Sequence, residues 1–308
     1  MFSIRRGIRI VVYLIAVALT LVVASRIVIP KNNQVEFGQH DPRAFGVLGE
    51  RSHSLDALFL GDSEVYTSIA PLGLWHNQGI AAYDVSTSAQ KLPYTRTLLK
   101  RALENQSPRV VAFETNMFFR KVSVDDVLYR ALADTFPLFE YHDRWKSLNT
   151  ADLFAQPRTT WMHREKGFKN NDECKPADAT GYMERSDGRT QIPELNQHLI
   201  KDMVRMCAER DIEVLFLSTP STKNWNWKRH NAVEDFIQSD ETLGNVRYLD
   251  LNLEQGDIGI DWTTDSRDGG DHLNKRGARK VTAFLGSWLR ATYNLPDRRN
   301  NPAYDAWN

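Results

Sequence analysis

Two short stretches near opposite ends of the chain carry residue types that, brought together, do acyl chemistry. "FLGDSEV" runs an apolar stretch into Gly61, Asp62 and Ser63, and "DSRDGGDHLN" sets His272 on a glycine-rich loop with Asp268 and Asp271 before it. A serine hydroxyl becomes a nucleophile when a base takes its proton, and an imidazole held in one tautomer by a carboxylate is such a base. Asp268 stands four positions before His272 and Asp271 directly before it. Adjacent side chains diverge in extended backbone, so Asp268 is preferred as the orienting carboxylate and Asp271 is kept open. Attack on a carbonyl also needs donors preset for the oxyanion. The candidates are the Ser63 backbone N–H, a backbone N–H in the loop near Ser86, and the Asn116 side chain. Taken singly, Gly-Asp-Ser is a turn, the histidine a capping residue and Asn116 a turn residue. Their order carries more: serine after a first strand, asparagine after a third, histidine before a last helix.

Those positions depend on the elements that end at them. "DALFLGDS", "GIAAYDVSTS", "PRVVAFETN", "IEVLFLSTP" and "VRYLDLN" read as short buried strands. "LPYTRTLLKRALENQ", "IPELNQHLIKDMVRMCAER", "KRHNAVEDFIQ" and "NKRGARKVTAFLGSWLRATYN" read as helices between and after them. This alternation predicts an α/β protein with a parallel sheet covered by helices on both faces. Reactive groups then gather outside the carboxyl ends of the strands, where Ser63, Asn116 and Ser221 fall. The stretch from about 121 to 191 fits the alternation poorly and reads as an insertion over or beside the site. Within it Arg144 and Trp145 read as structural. Past the fourth strand, Lys223, Trp225 and Trp227 offer a cationic and aromatic wall for a sugar or acyl donor, or else packing under the insertion. Asp62 and Glu64 read as turn and first-turn residues, favoured there by the helix dipole.

With 308 residues, 42% hydrophobic and 25% charged, the chain can bury a large core. Thirty-nine basic residues balance 39 acidic ones, which is not the footprint of a nucleic-acid binder. Cys174 and Cys207 match no metal spacing; two free thiols are the plainer reading, with one bridge open to an extracytoplasmic domain. No His/Cys/carboxylate cluster has ligand spacing, so no metal or organic cofactor is expected. At the N-terminus, Arg5, Arg6 and Arg9 precede an apolar run from Ile10 to Ser25, extended past Arg26 by Ile27 to Ile29. About 20 apolar residues span a bilayer, and Arg26 reaches the interface by snorkelling. Arginines ahead of the helix keep that end cytoplasmic and send the rest outside. A cleaved signal peptide with its site at Val23-Ala24-Ser25 is the alternative. The expected organisation is a cytoplasmic stub and membrane anchor (1–30), a linker (31–54), one domain (55–295) and a tail (296–308).

The chain resembles the SGNH (GDSL-type) hydrolase superfamily over about residues 55 to 295. "FLGDSEV" is similar to its first block, with the nucleophile at Ser63; "FETN" to its third, with Asn116; and "DGGDHLN" to its last, with His272. "YHDRWKSL", "LSTPSTKNW" and "DHLNKRGARKVT" look like the membrane-anchored branch found with bacterial surface-polysaccharide systems. That branch includes relatives of the D-alanyl transfer protein and partners of integral O-acyltransferases. The resemblance implies a flavodoxin-like three-layer αβα sandwich with a central parallel sheet. It also implies an extracytoplasmic serine enzyme that transfers or removes acyl groups on a surface polysaccharide through an acyl-Ser63 intermediate. A non-catalytic partner of an integral acyltransferase and a general secreted esterase are the other readings. The sequence departs from the family at three places. Ser86, with Ser88 and Ala89, stands where an oxyanion glycine is usual. Glu114 and Met117 replace the outer residues of the third block. The usual aspartate position, three before the histidine, is Gly269, so Asp268 reaches only if the extra residue bulges.

Overall fold

The computed structural model describes residues 4–307. A long helix, α1 (Ile4–Val28), precedes a chain that alternates as its apolar runs predict. In order come β1 (Ala57–Gly61), α2 (Ser63–Ser68), α3 (Pro71–Gln78), β2 (Ala82–Ser86) and α4 (Leu92–Leu103). Then follow β3 (Val110–Glu114), α5 (Val124–Thr135), α6 (Glu194–Ala208), β4 (Glu213–Ser218), α7 (Trp227–Gln238), β5 (Arg247–Asp250) and α8 (Lys275–Tyr293). The strands pair in parallel in the order β2-β1-β3-β4-β5.

Strand alternation divides the core. Leu58, Leu60, Val111, Phe113, Val214 and Phe216 face α4, α6 and α7, whereas Ala57, Phe59, Val110, Ala112, Leu215 and Leu217 face α3 and α8. Burial on both faces explains why these strands read as continuous apolar runs rather than alternating ones. Each fully buried Leu or Phe side chain contributes roughly 1.5–3 kcal/mol, so the two clusters dominate the stability of the sandwich. Local signals place the helices. Ser123 and Asp126 form a reciprocal capping box on α5, Asn274 caps α8, and Gly79 ends α3 in the left-handed region. All five strands end on the same edge, at Gly61, Ser86, Glu114, Ser218 and Asp250.

Two segments differ from their reading as linker and tail. Within 31–54, Ala44, Phe45 and Val47 join the core that contains Leu58, and buried Glu50 pairs with the Lys166 ammonium at 2.9 Å. Near the other end, Arg298 pairs with Asp56 at 2.8 Å, and Tyr304 and Trp307 pack on Trp75 with ring centroids 5.8 and 5.4 Å away. Both segments are therefore part of the domain; their apolar residues lie in short turns with no steady period. The 121–191 stretch holds α5, short helical turns and long irregular runs.

α1 is long and apolar enough to cross a membrane. Its last turns are not free. Arg144 donates to the carbonyls of Val28 (2.6 Å) and Ile29 (2.9 Å) while pairing with Asp152 at 3.0 Å, and the Leu138 N–H donates to Ser25 Oγ at 3.2 Å. A buried guanidinium thus takes up carbonyls that the helix end leaves unpaired.

Candidate active site

Ser63 is the first residue of α2, directly off the end of β1. Gly61 makes that turn fit: a Cβ there would lie 2.5 Å from Val65 Cγ2 and 2.6 Å from Glu114 Cβ, so only glycine lets the ends of β1 and β3 approach. Asp62 caps the turn, its carboxylate accepting from the Glu64 N–H at 3.0 Å.

The second half of the site is a tight loop ahead of α8. Ser266 bridges Leu273, the Arg267 N–H donates to the His272 carbonyl at 3.0 Å, and Ser266 Oγ accepts from the N–H groups of Gly269 (3.0 Å) and Gly270 (2.7 Å). Gly269 and Gly270 both have positive φ, 80° and 100°, and a Cβ on Gly270 would fall 1.9 Å from Thr222 Oγ1. This pair absorbs the extra residue between carboxylate and imidazole. As a result Asp268 accepts from the His272 backbone N–H at 2.8 Å and lies 2.7 Å from its Nδ1. His272 Nε2 lies 2.7 Å from Ser63 Oγ. The His272 side chain is only 12% exposed, which shields this line of bonds from water. Burial pushes the Asp268 carboxyl up, but the bonds from His272 and the nearby charges outweigh it and hold the group below the usual aspartate range.

Asp271, the other candidate orienter, turns away. Its Oδ2 is 3.6 Å from Nδ1, too long for a hydrogen bond, and its Oδ1 accepts from Asn224 Nδ2. Asp268, Asp271 and His272 bring ligand-type atoms within 4.8 Å of one another, but both His272 nitrogens already face protein partners.

Beneath Ser63 lies a polar layer that sequence reasoning missed. Asp62, Glu64 and Glu114 are all buried. Arg120 pairs with Asp62; Glu64 accepts from Asn224 (2.7 Å) and Thr219 (3.1 Å), and Glu114 accepts from the Asn116 N–H (2.7 Å). Burial first, and the neighbouring Asp62 charge second, push Glu64 and Glu114 well above the usual glutamate range. The sign for stability follows. A folded-state pKa raised above the ordinary 4.5 means the native state holds more protons, so this group lowers stability as pH climbs above that value. Glu64→Gln keeps an acceptor for Asn224 and offers an N–H to Thr219. Urea unfolding across mildly acidic to mildly alkaline pH is expected to show a flatter decline for Glu64→Gln, with stability at the alkaline end at least that of wild type.

The oxyanion candidates occupy unlike settings. Ser86 ends β2 opposite Gly61, with its hydroxyl buried and, among the described residues, without a partner. It lines a cleft of about 510 Å³ with Arg43, His163, Phe168 and Lys169. Burial and the charges of Arg43 and Lys166 lower His163 to about 4, so it meets that cleft as a neutral ring. Asn116 is buried after β3, and Arg229 fixes its amide by donating to Oδ1 at 2.5 Å. Its Nδ2 faces Asp62 (3.4 Å) and Glu64 (3.3 Å).

Of the two readings of the residues past β4, packing holds for Trp225. Trp225 is buried and its indole N–H donates to Asp250 at 2.9 Å, so it packs and cannot meet substrate. Trp227 starts α7 under the Arg185 guanidinium, and Lys223 is exposed, donating to the Asp268 carbonyl at 3.1 Å. Part of the 121–191 stretch does border the site. Lys169 N–H donates to the Tyr66 carbonyl, Lys175 N–H to that of Ser266, and Lys275 N–H to that of Asn171. Cys174 and Cys207 are both free; Cys174 is exposed, and burial pushes the Cys207 thiol up to about 12.

Among solved structures the chain is similar to a lipase/acylhydrolase from Enterococcus faecalis, at 8% identity over 80% of this chain and 100% of that one, with a TM-score of 0.38. It is also similar to a GDSL-like lipase from Bacteroides thetaiotaomicron, at 10% identity over 76% and 87%, with a TM-score of 0.34. No family model matches the chain, and no curated protein does. The chemistry assigned to the site rests on its geometry and not on these likenesses.

Proposed function

We propose that this chain is a membrane-anchored, extracytoplasmic serine enzyme that transfers or removes acyl groups on a cell-surface polysaccharide. One observation carries the catalytic part: a single imidazole lies 2.7 Å from Ser63 Oγ through one nitrogen and 2.7 Å from Asp268 through the other. In the first half-reaction Ser63 Oγ attacks the ester carbonyl while His272 Nε2 takes its proton. The tetrahedral intermediate collapses as His272 returns that proton to the departing alcohol, leaving acyl-Ser63. In the second half, His272 deprotonates water or a sugar hydroxyl, which attacks the acyl-enzyme, and the proton returns to Ser63. Asp268 holds the ring in the tautomer with Nδ1 protonated and stabilises the imidazolium. The Ser63 backbone N–H and a backbone N–H near Ser86 are the proposed oxyanion donors; the Asn116 amide, expected among them, instead gives its N–H groups to the Asp62 and Glu64 carboxylates. The cleft beside Ser86 is the proposed approach for the substrate.

The anchor is supported by α1 and by Arg5, Arg6 and Arg9 in its first turns, ahead of the apolar run. The polysaccharide substrate and an integral O-acyltransferase partner are supported by the sequence resemblance to the membrane-anchored SGNH branch. A fluorophosphonate probe tests the catalytic part on the full chain in detergent. Labelling is expected at Ser63, absent in Ser63→Ala and strongly reduced in His272→Ala; an unlabelled wild type under several conditions overturns it. Surface-polymer ester content then separates the directions. It falls in Ser63→Ala cells if the enzyme transfers and rises if it deacylates.

A further inference from the structure

We propose that the surface of the domain surrounding the exit of α1 is a membrane-seated collar, in which Phe37, Trp145, Leu153 and Phe154 enter the outer headgroup region of the bilayer that α1 spans. The inference rests on the anchor reading above and adds how the domain sits on the membrane. About 20 residues are needed to cross the hydrocarbon, and the apolar run ends at Ile29. The domain does not begin after that run but grips its last two turns. Ser25 and Val28 are buried, and Leu21 and Ala24 are half-buried, against the segment 138–153. Arg144, on the Val28 and Ile29 carbonyls where the run ends, and the residues beside it therefore lie at the depth where hydrocarbon meets headgroups.

Their side chains suit that depth. Trp145 is 67% exposed, Phe154 84%, Leu153 49% and Phe37 39%. All four neighbour the residues that make the grip. Trp145 follows the Arg144 that caps α1, and Leu153 and Phe154 follow the Asp152 that pairs with Arg144. Phe37 precedes Gly38, whose backbone packs on the Arg144 side chain. The Lys146 ammonium lies 5.9 Å over the Trp145 ring, an aromatic and basic pair of the kind that anchors proteins at bilayer interfaces. In water these four apolar side chains stand exposed, with nothing among the described residues to cover them. Because α1 is clamped rather than hinged, lipid is the occupant that its own insertion brings against them.

The test uses the full chain in phosphatidylcholine nanodiscs, in a Cys174→Ser background. Cys207 is buried and its thiol is held up near 12, so it stays unlabelled. An environment-sensitive fluorophore is placed in turn at Phe154→Cys, at Leu19→Cys in α1 and at exposed Glu209→Cys after α6. Each is quenched by lipids that carry a nitroxide near the headgroup or near the chain end. The expected result is headgroup-level quenching at 154 at least about twofold that at 209, with blue-shifted emission, and chain-end quenching at 19. Quenching at 19 with residue 154 no different from 209 overturns the collar and leaves the anchor standing. No quenching at 19 overturns the anchor reading and the collar with it.

Discussion

Replacing either Ser63 or His272 by alanine is expected to lower the turnover of p-nitrophenyl acetate by on the order of 10⁶-fold, and replacing both is expected to cost no more than either alone. The bond between Ser63 Oγ and His272 Nε2 makes the two groups one device: the hydroxyl without its base is an ordinary alcohol, and the base without its hydroxyl has no nucleophile to activate. Losses that multiply would mean independent roles, such as binding by one residue and chemistry by the other. Steady-state kcat for the two single variants and the double variant, all as full chains in the same detergent, decides this. A Ser63→Ala protein within tenfold of wild type removes the acyl-enzyme altogether.

The parts of this fold that the sequence displays are those where local physics and tertiary context agree. "ALFLG", "VVAFE" and "EVLFLS" are apolar throughout because both faces of each strand are covered. Gly61-Asp62-Ser63 and the paired glycines before His272 are visible because tight approach and positive φ demand those residue types. Glu64 was illegible for the opposite reason. An acid in the first turn of a helix is ordinarily solvated, and here it is buried by Thr219 and Asn224, residues far along the chain that only the fold brings over it. Trp225 shows the same limit, since a loop tryptophan points toward ligand or core according to a partner, Asp250, on the next strand. The core residues of 31–54 escape periodic reading because two short turns, Pro42–Phe45 and Gly46–Gly49, carry them.

The 121–191 stretch joins these two levels. Its first part holds the end of α1 through Leu138, Arg144 and Asp152; its later part runs beside Tyr66 and the loop that carries His272. One stretch therefore ties the end of α1 to the rim of the candidate site.

The sharpest division inside the site is between its two aspartates. Asp268→Asn is expected to lower kcat for p-nitrophenyl acetate by about 10³- to 10⁴-fold, and Asp271→Asn by less than about tenfold. Asp268 contacts His272 twice, at the backbone N–H and at Nδ1, so its carboxylate fixes both where the ring stands and which nitrogen carries the proton. An asparagine in that place can turn its amide N–H toward Nδ1, which moves the ring proton to Nε2 and leaves no acceptor for the Ser63 proton. Held below the usual aspartate range, Asp268 is ionised throughout neutral pH, and its stabilising contribution is lost only as pH falls below the ordinary value of 3.8 through the lowered one. Asp271 instead spends an oxygen on Asn224, so its amide variant leaves the imidazole bonded as before. KM for both variants should stay near wild type, because neither side chain lines the cleft beside Ser86. A large kcat loss in Asp271→Asn with Asp268→Asn near wild type would reverse the assignment and show that the loop rearranges when substrate binds.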